Sequence, residues 1–179
     1  MAAKIHLEIV TPEGVKFSEE VDEFTAPSVQ GEFGVLPSHR PLLAGLKTGI
    51  VSYLKDGETF SVAIGPGFAK VSENRANIVT ERFVGKADVD AVLARKDLKE
   101  AQDAMDAMDS HAPDDEKEAK IAASRWAAAR LELYGDAPPA TVIMAHEMRL
   151  LVSDDFAEPS STIAEANEDL DRDEPKESK

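Results

Sequence analysis

Ile50-Val51-Ser52-Tyr53-Leu54-Lys55-Asp56-Gly57-Glu58-Thr59-Phe60-Ser61-Val62-Ala63-Ile64 is the stretch that decides the fold. Ile50, Val51 and Tyr53 run into Asp56-Gly57, and Phe60, Val62 and Ile64 follow with apolar residues at every second place. An Asp-Gly pair between two such runs is a strong hairpin signal, because both residues accept the positive φ that a tight turn needs. The same grammar extends upstream. Ile5, Leu7 and Ile9 alternate with His6 and Glu8, as in a half-buried strand. Thr11-Pro12-Glu13-Gly14 is a turn, and Val15 and Phe17 alternate after it. Val21 and Phe24 precede Pro27. Downstream come Gly65-Pro66-Gly67, then Phe68 and Val71, a turn holding Asn74, and a last strand with Ile78 and Val79. Short strands with turn signals every 8 to 12 residues or so predict a sandwich or barrel over residues 1 to 85.

The pattern changes at Lys86. Ala91, Ala94, Leu98, Ala101, Met105 and Met108 recur at steps of three and four, one stripe of a helix. Asp88 is expected as its N-cap, with Asp90 in the first turn. Asp109-Ser110-His111-Ala112-Pro113 breaks the stripe. Pro113 suits the first turn of a second helix, and Asp114, Asp115 and Glu116 favour the same end. Ala119, Ala122, Trp126, Ala129 and Leu133 make the second stripe, and Gly135 with Pro138-Pro139 ends it. Residues 86–135 therefore read as an antiparallel helical hairpin with alanine-rich seams. Alanine buries little apolar area, so the hairpin is expected to be weakly held and able to leave its resting place while the β domain stays folded.

Residues 136–179 form an acidic extension. From Asp154 onward there are ten acidic and three basic residues, and the expectation there is a solvated, disordered tail. Its charge allows competition with acidic partners for Arg125 and Arg130. Before it, Met144, Met148 and Leu151 line one face if Thr141 to Val152 is helical, although a strand fits equally.

Composition narrows the function classes. The chain has 179 residues, one domain with appendages or two small ones. Aromatics are only 6%, so the core must rely on Val, Ile, Leu and Ala. A formal charge of −15 argues against nucleic acid or anionic lipid as direct partners, since phosphate affinity comes from Lys and Arg. With no cysteine, thiolate catalysis, disulfides and Cys-based metal sites are excluded. The start lacks a signal-peptide run, and no stretch reaches the roughly 18 apolar residues of a membrane helix. A soluble protein is expected, with any membrane association made through a partner.

Gly31-Glu32-Phe33-Gly34-Val35-Leu36-Pro37-Ser38-His39-Arg40-Pro41-Leu42-Leu43 closely resembles the signature of the epsilon subunit of F-type ATP synthase, called delta in mitochondria. Ser38 and Arg40 stand where the family usually has Gly and Ala. Lys47-Thr48-Gly49-Ile50-Val51 resembles the Lys-Pro-Gly element that follows. Gly65-Pro66-Gly67-Phe68-Ala69-Lys70-Val71 resembles the Gly-Gly-Phe element, with Pro66 and Lys70 as departures. Asn77-Ile78-Val79-Thr80-Glu81 resembles the strand that ends the sandwich. The match runs in order from residue 4 to about 134, and the extension after Gly135 lies outside the family pattern.

The resemblance implies a ten-stranded β-sandwich followed by two helices, at the foot of the gamma subunit and on the ring of c subunits. It implies a non-catalytic rotor subunit of a proton-translocating synthase, peripheral on the cytoplasmic face of the cell membrane. The hairpin would fold on the sandwich, or extend towards the beta and alpha subunits and inhibit ATP hydrolysis. On this reading Gln30, Glu32, His39, Leu42 and Leu43 are the candidates for the c-ring and gamma interface. Lys117, Lys120, Arg125 and Arg130 are the candidates for hairpin contacts with acidic loops, where a basic helix in an acidic chain gives some independent support. The stretch from Gln30 to Leu43 is expected to be a preorganised loop, with Gly31 and Gly34 permitting tight turns and Pro37 and Pro41 restricting the backbone.

Against these readings stand plainer ones. Glu32 is solvated in an ordinary surface loop, and His39 makes an internal hydrogen bond. Trp126 anchors the helical seam. No partnered nucleophile, no His-Glu-x-x-His spacing and no phosphate-cradling loop is present, so an enzyme is not expected. His6, His39, His111 and His146 are scattered, and no metal or other cofactor is predicted. Some family members bind ATP through an Ile/Leu-Asp-x-x-Arg-Ala element on the hairpin. Val89-Asp90-Ala91-Val92-Leu93-Ala94 keeps Asp90 but has Leu93 in place of the arginine, and leucine supplies no donors for phosphate. Arg95 is displaced by two positions. The alternative from another class is a stand-alone ligand-binding sandwich that dimerises through its helices.

Overall fold

A computed structural model describes residues 3–109 and 111–139. The expectations for Thr141 to Val152 and for the acidic tail lie outside the described residues.

Ten strands come first in the chain: β1 (Ile5–Thr11), β2 (Gly14–Val21), β3 (Glu23–Ser28), β4 (Gly31–Val35), β5 (Leu42–Leu46), β6 (Gly49–Lys55), β7 (Glu58–Ile64), β8 (Gly67–Ser72), β9 (Arg75–Thr80) and β10 (Phe83–Gly85). A 3-10 turn, Lys86–Asp88, leads to α1 (Ala91–Asp106) and α2 (Asp114–Tyr134). The hairpin read from Asp56-Gly57 joins β6 to β7. Both turn residues have left-handed φ, 53° and 86°, and Lys55 faces Glu58 across the turn. A second left-handed pair, Glu73 and Asn74, closes β8 on β9. Paired positive φ at a two-residue turn matches the twist of the flanking strands.

The strand order is β10-β7-β6-β3-β5-β8-β9-β1-β2, with β4 added on β3. All pairings are antiparallel except β1 with β9, which is parallel. β3 and β5 are joined only at Ser28 and Leu46, and there the sheet folds over on itself. The two halves enclose Ile5, Leu7, Ile9, Phe24, Val51, Ile64 and Ile78, all essentially inaccessible. Full burial of side chains of this size contributes about 1.5–3 kcal/mol each. The alternation Ile5, Leu7, Ile9 is buried at every second residue, as the sequence predicts. A row of rings, Phe17–Tyr53 at 4.8 Å and Tyr53–Phe60 at 5.5 Å between centroids, fills the mouth between β2, β6 and β7.

Three local readings are corrected. The segment read as a loop from Gln30 is in part β4, paired with β3 along its length. Thr25, Ala26 and Ser28 pair with Gly34, Phe33 and Gly31, so the glycines at 31 and 34 do not break the ladder. The N-cap of α1 is Asp90, not Asp88. Its carboxylate accepts from Leu93 N at 2.9 Å, while Asp88 ends the preceding 3-10 turn. Pro113 is the residue before α2 rather than in it, and Gly135, at φ 104°, ends that helix with Asp136 N donating to Leu131 O.

The stripe on α1 is as predicted, with Ala91, Ala94, Leu98, Ala101 and Met105 buried. The stripe on α2 is not. Ala119 and Ala122 are exposed, whereas Ile121, Ala127 and Leu131 are buried against α1. Trp126, Ala129 and Leu133 face the sandwich instead, on Ile50, Ala63, Val84 and Val89. α2 therefore carries two apolar faces, one for α1 and one for β6 and β7.

Candidate functional site

With α2 lying on β6 and β7, the other half of the sandwich keeps its outer face open. Along β5, β8 and β9 the outward positions are in register: Leu43 opposite Lys70, Gly45 opposite Phe68, Phe68 opposite Val79. Leu43 is 73% exposed, Phe68 48% and Val79 37%. Val29, 70% exposed, donates from its N to Gly45 O at 3.1 Å and so borders the same face. Strand alternation explains the arrangement. Ala69, Val71 and Ile78 point into the core, which turns Phe68 and Val79 outward.

The predicted interface residues are divided by β4. Gln30 and Glu32, both exposed, lie at its start. There Ser28 Oγ donates to Gly31 O at 2.6 Å and accepts from Gln30 N at 3.1 Å, which fixes the β3–β4 turn. Gly31 has φ 120°, a conformation closed to most side chains. His39 lies beyond the other end of β4, itself about 13 Å long at the usual rise of a strand. His39 Nδ1 is 2.7 Å from Arg40 O, the internal hydrogen bond of the plainer reading. Ser38, at φ 65°, donates from its N to Asn74 Oδ1 at 2.6 Å, tying that turn to β8–β9. Leu42 is half-buried against the core and Leu43 points out. The fold thus brings Leu43 together with Val29, Phe68 and Val79, which the sequence did not single out. It does not bring Glu32 to His39.

On the hairpin the four basic candidates have different settings. Lys117 is buried, with its Nζ 4.0 Å from Asp114. Arg130 donates to Asp97 at 2.7 Å with only 13% of its side chain exposed. Lys120 is half-buried in a cleft with Arg82, Asp97, Glu100 and Trp126. Arg125 is exposed on the side of α2 that borders the sandwich. Trp126 lies between two guanidinium groups, Arg82 of the β9–β10 turn at 5.9 Å and Arg130 at 5.8 Å from its ring centroid. It anchors the hairpin on the sandwich rather than the seam between helices, and a guanidinium over an indole face is attractive by about 0.5–2 kcal/mol. Asp90 is committed to its cap, Leu93 is exposed, and Arg95 reaches away to Asp136 at 2.7 Å.

One array has the order of a catalytic relay. Ser18 Oγ is 3.3 Å from His6 Nε2, and His6 Nδ1 is 3.0 Å from Glu20. These residues face each other across β1 and β2 on an open, exposed strand surface. Acyl transfer also needs donors converging on an oxyanion within a water-excluding site. The array has no such enclosure and acts as a cross-strand hydrogen-bond row. Among the described residues no group of three or more His, Asp or Glu is placed to hold a metal ion, and no helix is long and apolar enough to cross a membrane.

Comparison with known proteins agrees with this geometry. Residues 4–86 match the family model of the beta-sandwich domain of the ATP synthase delta/epsilon chain. The ATP synthase epsilon chain of Nitratidesulfovibrio vulgaris is 39% identical over 137 residues, covering 76% of this chain and 100% of that protein. The epsilon chain of an Anaeromyxobacter species is 36% identical over 129 residues, 72% and 96% of the two chains. Among solved structures, a chain of the Euglena gracilis mitochondrial ATP synthase, in an assembly with OSCP, F1 and c-ring, matches with a TM-score of 0.53 and 26% identity, over 75% of this chain and 79% of that one. The described residues combine a sandwich that has an open apolar face with a docked hairpin. The chain belongs to the ATP synthase delta/epsilon chain family, as a non-catalytic rotor subunit of ATP synthase.

Proposed function

We propose that this chain couples the gamma subunit to the ring of c subunits in a proton-translocating synthase on the cytoplasmic face of the cell membrane, and that its hairpin brakes ATP hydrolysis. The observation that carries the coupling is the open face of β5, β8 and β9, where Leu43, Phe68, Val79 and Val29 are exposed together. Contiguous exposed apolar side chains on a stiff sheet mark an interaction surface. Gamma occupies that face. Gln30 and Glu32, on the fixed β3–β4 turn beside it, meet the polar loops of the c ring. His39, at the far end of β4, serves a separate contact. Leu42 supports Leu43 from within.

The brake follows from the small apolar footing of the hairpin. Ala129, Leu133 and a half-buried Trp126 hold α2 on the sandwich. A partner shifts such an equilibrium only by preferring one of the two states. Lys117 and Arg130 are paired within the hairpin, to Asp114 and to Asp97 of α1. When the hairpin leaves the sandwich and α1 parts from α2, they join Lys120 and Arg125 as a basic surface for acidic loops of the beta and alpha subunits. ATP itself binds weakly or not at all, because Asp90 is used as a cap and Leu93 offers no donor. Titration of the isolated chain with millimolar ATP, followed by Trp126 emission, gives no saturable change.

Affinity isolation of the tagged chain from its own cells tests the coupling. Gamma and c subunits should come with it, and Leu43→Asp with Phe68→Asp should lose gamma. Recovery of a lone stable dimer would favour the self-associating, ligand-binding alternative instead.

A further inference from the structure

The face of α2 that meets α1 is interrupted by polar side chains. Lys117, Ile121, Ser124, Ala128 and Leu131 form one stripe with the alternating three- and four-residue steps of a coiled-coil seam, and all of them are buried. Ser124 stands on the midline of that stripe, between the cluster of Met105 with Ile121 and the cluster of Leu98 with Ala127. Across the seam α1 buries Ala91, Ala94, Leu98, Ala101 and Met105, none of which carries a side-chain oxygen or nitrogen.

The polar groups are poorly served there. Ser124 is wholly inaccessible, and its Oγ has no hydrogen-bond partner among the described residues. Lys117, seven residues earlier, has 9% of its side chain exposed, and its Nζ is 4.0 Å from Asp114, too far for a hydrogen bond. Arg130, beside the stripe, donates to Asp97 but keeps its Nε buried without a partner among the described residues. A hydroxyl buried unpaired loses its bonds to water and regains them when the helices separate. A polar residue in a seam can instead fix the register of two helices, at a cost in stability. That role needs a bond across the seam, and Ser124 Oγ makes none. The apolar gain that opposes the cost is small, because much of the seam is alanine.

We propose that Ser124 and Lys117 are a weakness built into the seam, which keeps the closed hairpin marginally stable so that α1 parts from α2 once α2 loses its footing on the sandwich. The proposal rests on the brake reading above for its purpose, and names the groups that set how readily the two helices separate. The footing uses another face of α2, with Trp126, Ala129 and Leu133, so seam and footing can be altered one at a time.

Amide hydrogen exchange of the full isolated chain tests the seam. α1 packs against α2, so its protection reports their contact. Ser124→Ala should slow exchange of α1 peptides by about fivefold or more, the size expected when an unpaired buried hydroxyl is removed. Adding Lys117→Met should slow it further, with exchange in β1 and β9 unchanged. Alanine also favours a helix more than serine does, so Ala119→Ser, at an exposed place on α2, is the control. Equal and opposite effects at 119 and 124 would overturn the proposal, and so would unchanged or faster exchange in Ser124→Ala. ATP hydrolysis by the assembled complex separates this proposal from the brake. Slower exchange with hydrolysis released from inhibition supports both. Slower exchange with hydrolysis unchanged upholds the weak seam and counts against the brake.

Discussion

Gly67 begins β8 where a Cβ would fall inside the van der Waals radius of Val79 O and close to Thr80 Cα, both backbone atoms of β9. Backbone in a paired ladder does not move aside as a side chain does, so Gly67→Ala should lower sandwich stability by about 1–3 kcal/mol, measured by denaturant unfolding. A second residue-scale prediction concerns pH. The Lys4 ammonium, hydrogen-bonded to Asp56 at 2.6 Å, holds the Asp56 carboxyl below its ordinary range, and Asp56 in turn raises Lys4. A depressed carboxylate stabilises the fold above its unfolded pKa, and that contribution is lost as pH falls through the folded value. For the raised lysine the contribution is full below its ordinary pKa and is lost as pH climbs through the folded one. The melting-temperature difference between wild type and Lys4→Met should therefore be present at neutral pH and shrink towards both extremes. A difference that persisted at strongly acid pH would contradict the pairing. At this scale the turns were legible, because Asp56-Gly57 announces its φ signs chemically. The Glu73-Asn74 turn was legible only through Asn74, since glutamate gives no hint of left-handed φ. Arg82 was not legible at all. Nothing in Glu81-Arg82-Phe83 says that a guanidinium will lie over an indole from a helix far along the chain.

The helical hairpin shows why one element was read well and its neighbour was not. α1 has a single apolar stripe, because only α2 covers it, and one period describes it. α2 lies between α1 and the sandwich, so its apolar residues belong to two faces and the alanines fit either register. Choosing Ala119 and Ala122 as seam positions was the result. The cap of α1 slipped by two residues, because both Asp88 and Asp90 are good N-caps and a 3-10 turn inserts before the helix. Asp90→Ala should cost the hairpin about 1 kcal/mol, the usual worth of an N-cap, while leaving the sandwich transition unchanged. That is read from amide exchange in α1 against exchange in β1 and β9. Trp126→Ala removes the largest side chain between hairpin and sandwich together with both arginine contacts. A large aromatic lost from a full core costs about 3–5 kcal/mol, and half-burial brings this nearer to 2. Exchange protection of α1 and α2 should fall together by roughly the corresponding tenfold or more, with the β core protected as before. Retained protection in α2 would mean that the hairpin stands without its footing.

For the whole molecule, the open face of β5, β8 and β9 was only partly visible in the sequence. The motif from Gly31 to Leu43 includes Leu43, which stands on an open face. The companions of Leu43 come from the β3–β4 turn, β8 and β9, however, and only the strand pairing brings Val29, Phe68 and Val79 beside it. The separation of Glu32 from His39 likewise depends on β4 being a strand, which two glycines disguise. The proposed function divides the labour between a β unit that connects and a lightly footed helical unit that regulates. ATP hydrolysis and proton-driven synthesis by the assembled complex, compared between the full chain and residues 1–85, test this directly. The account predicts that residues 1–85 fold, retain coupled synthesis and release hydrolysis from inhibition. Loss of coupling with a folded 1–85 unit, or hydrolysis unchanged by removal of the hairpin, would contradict it.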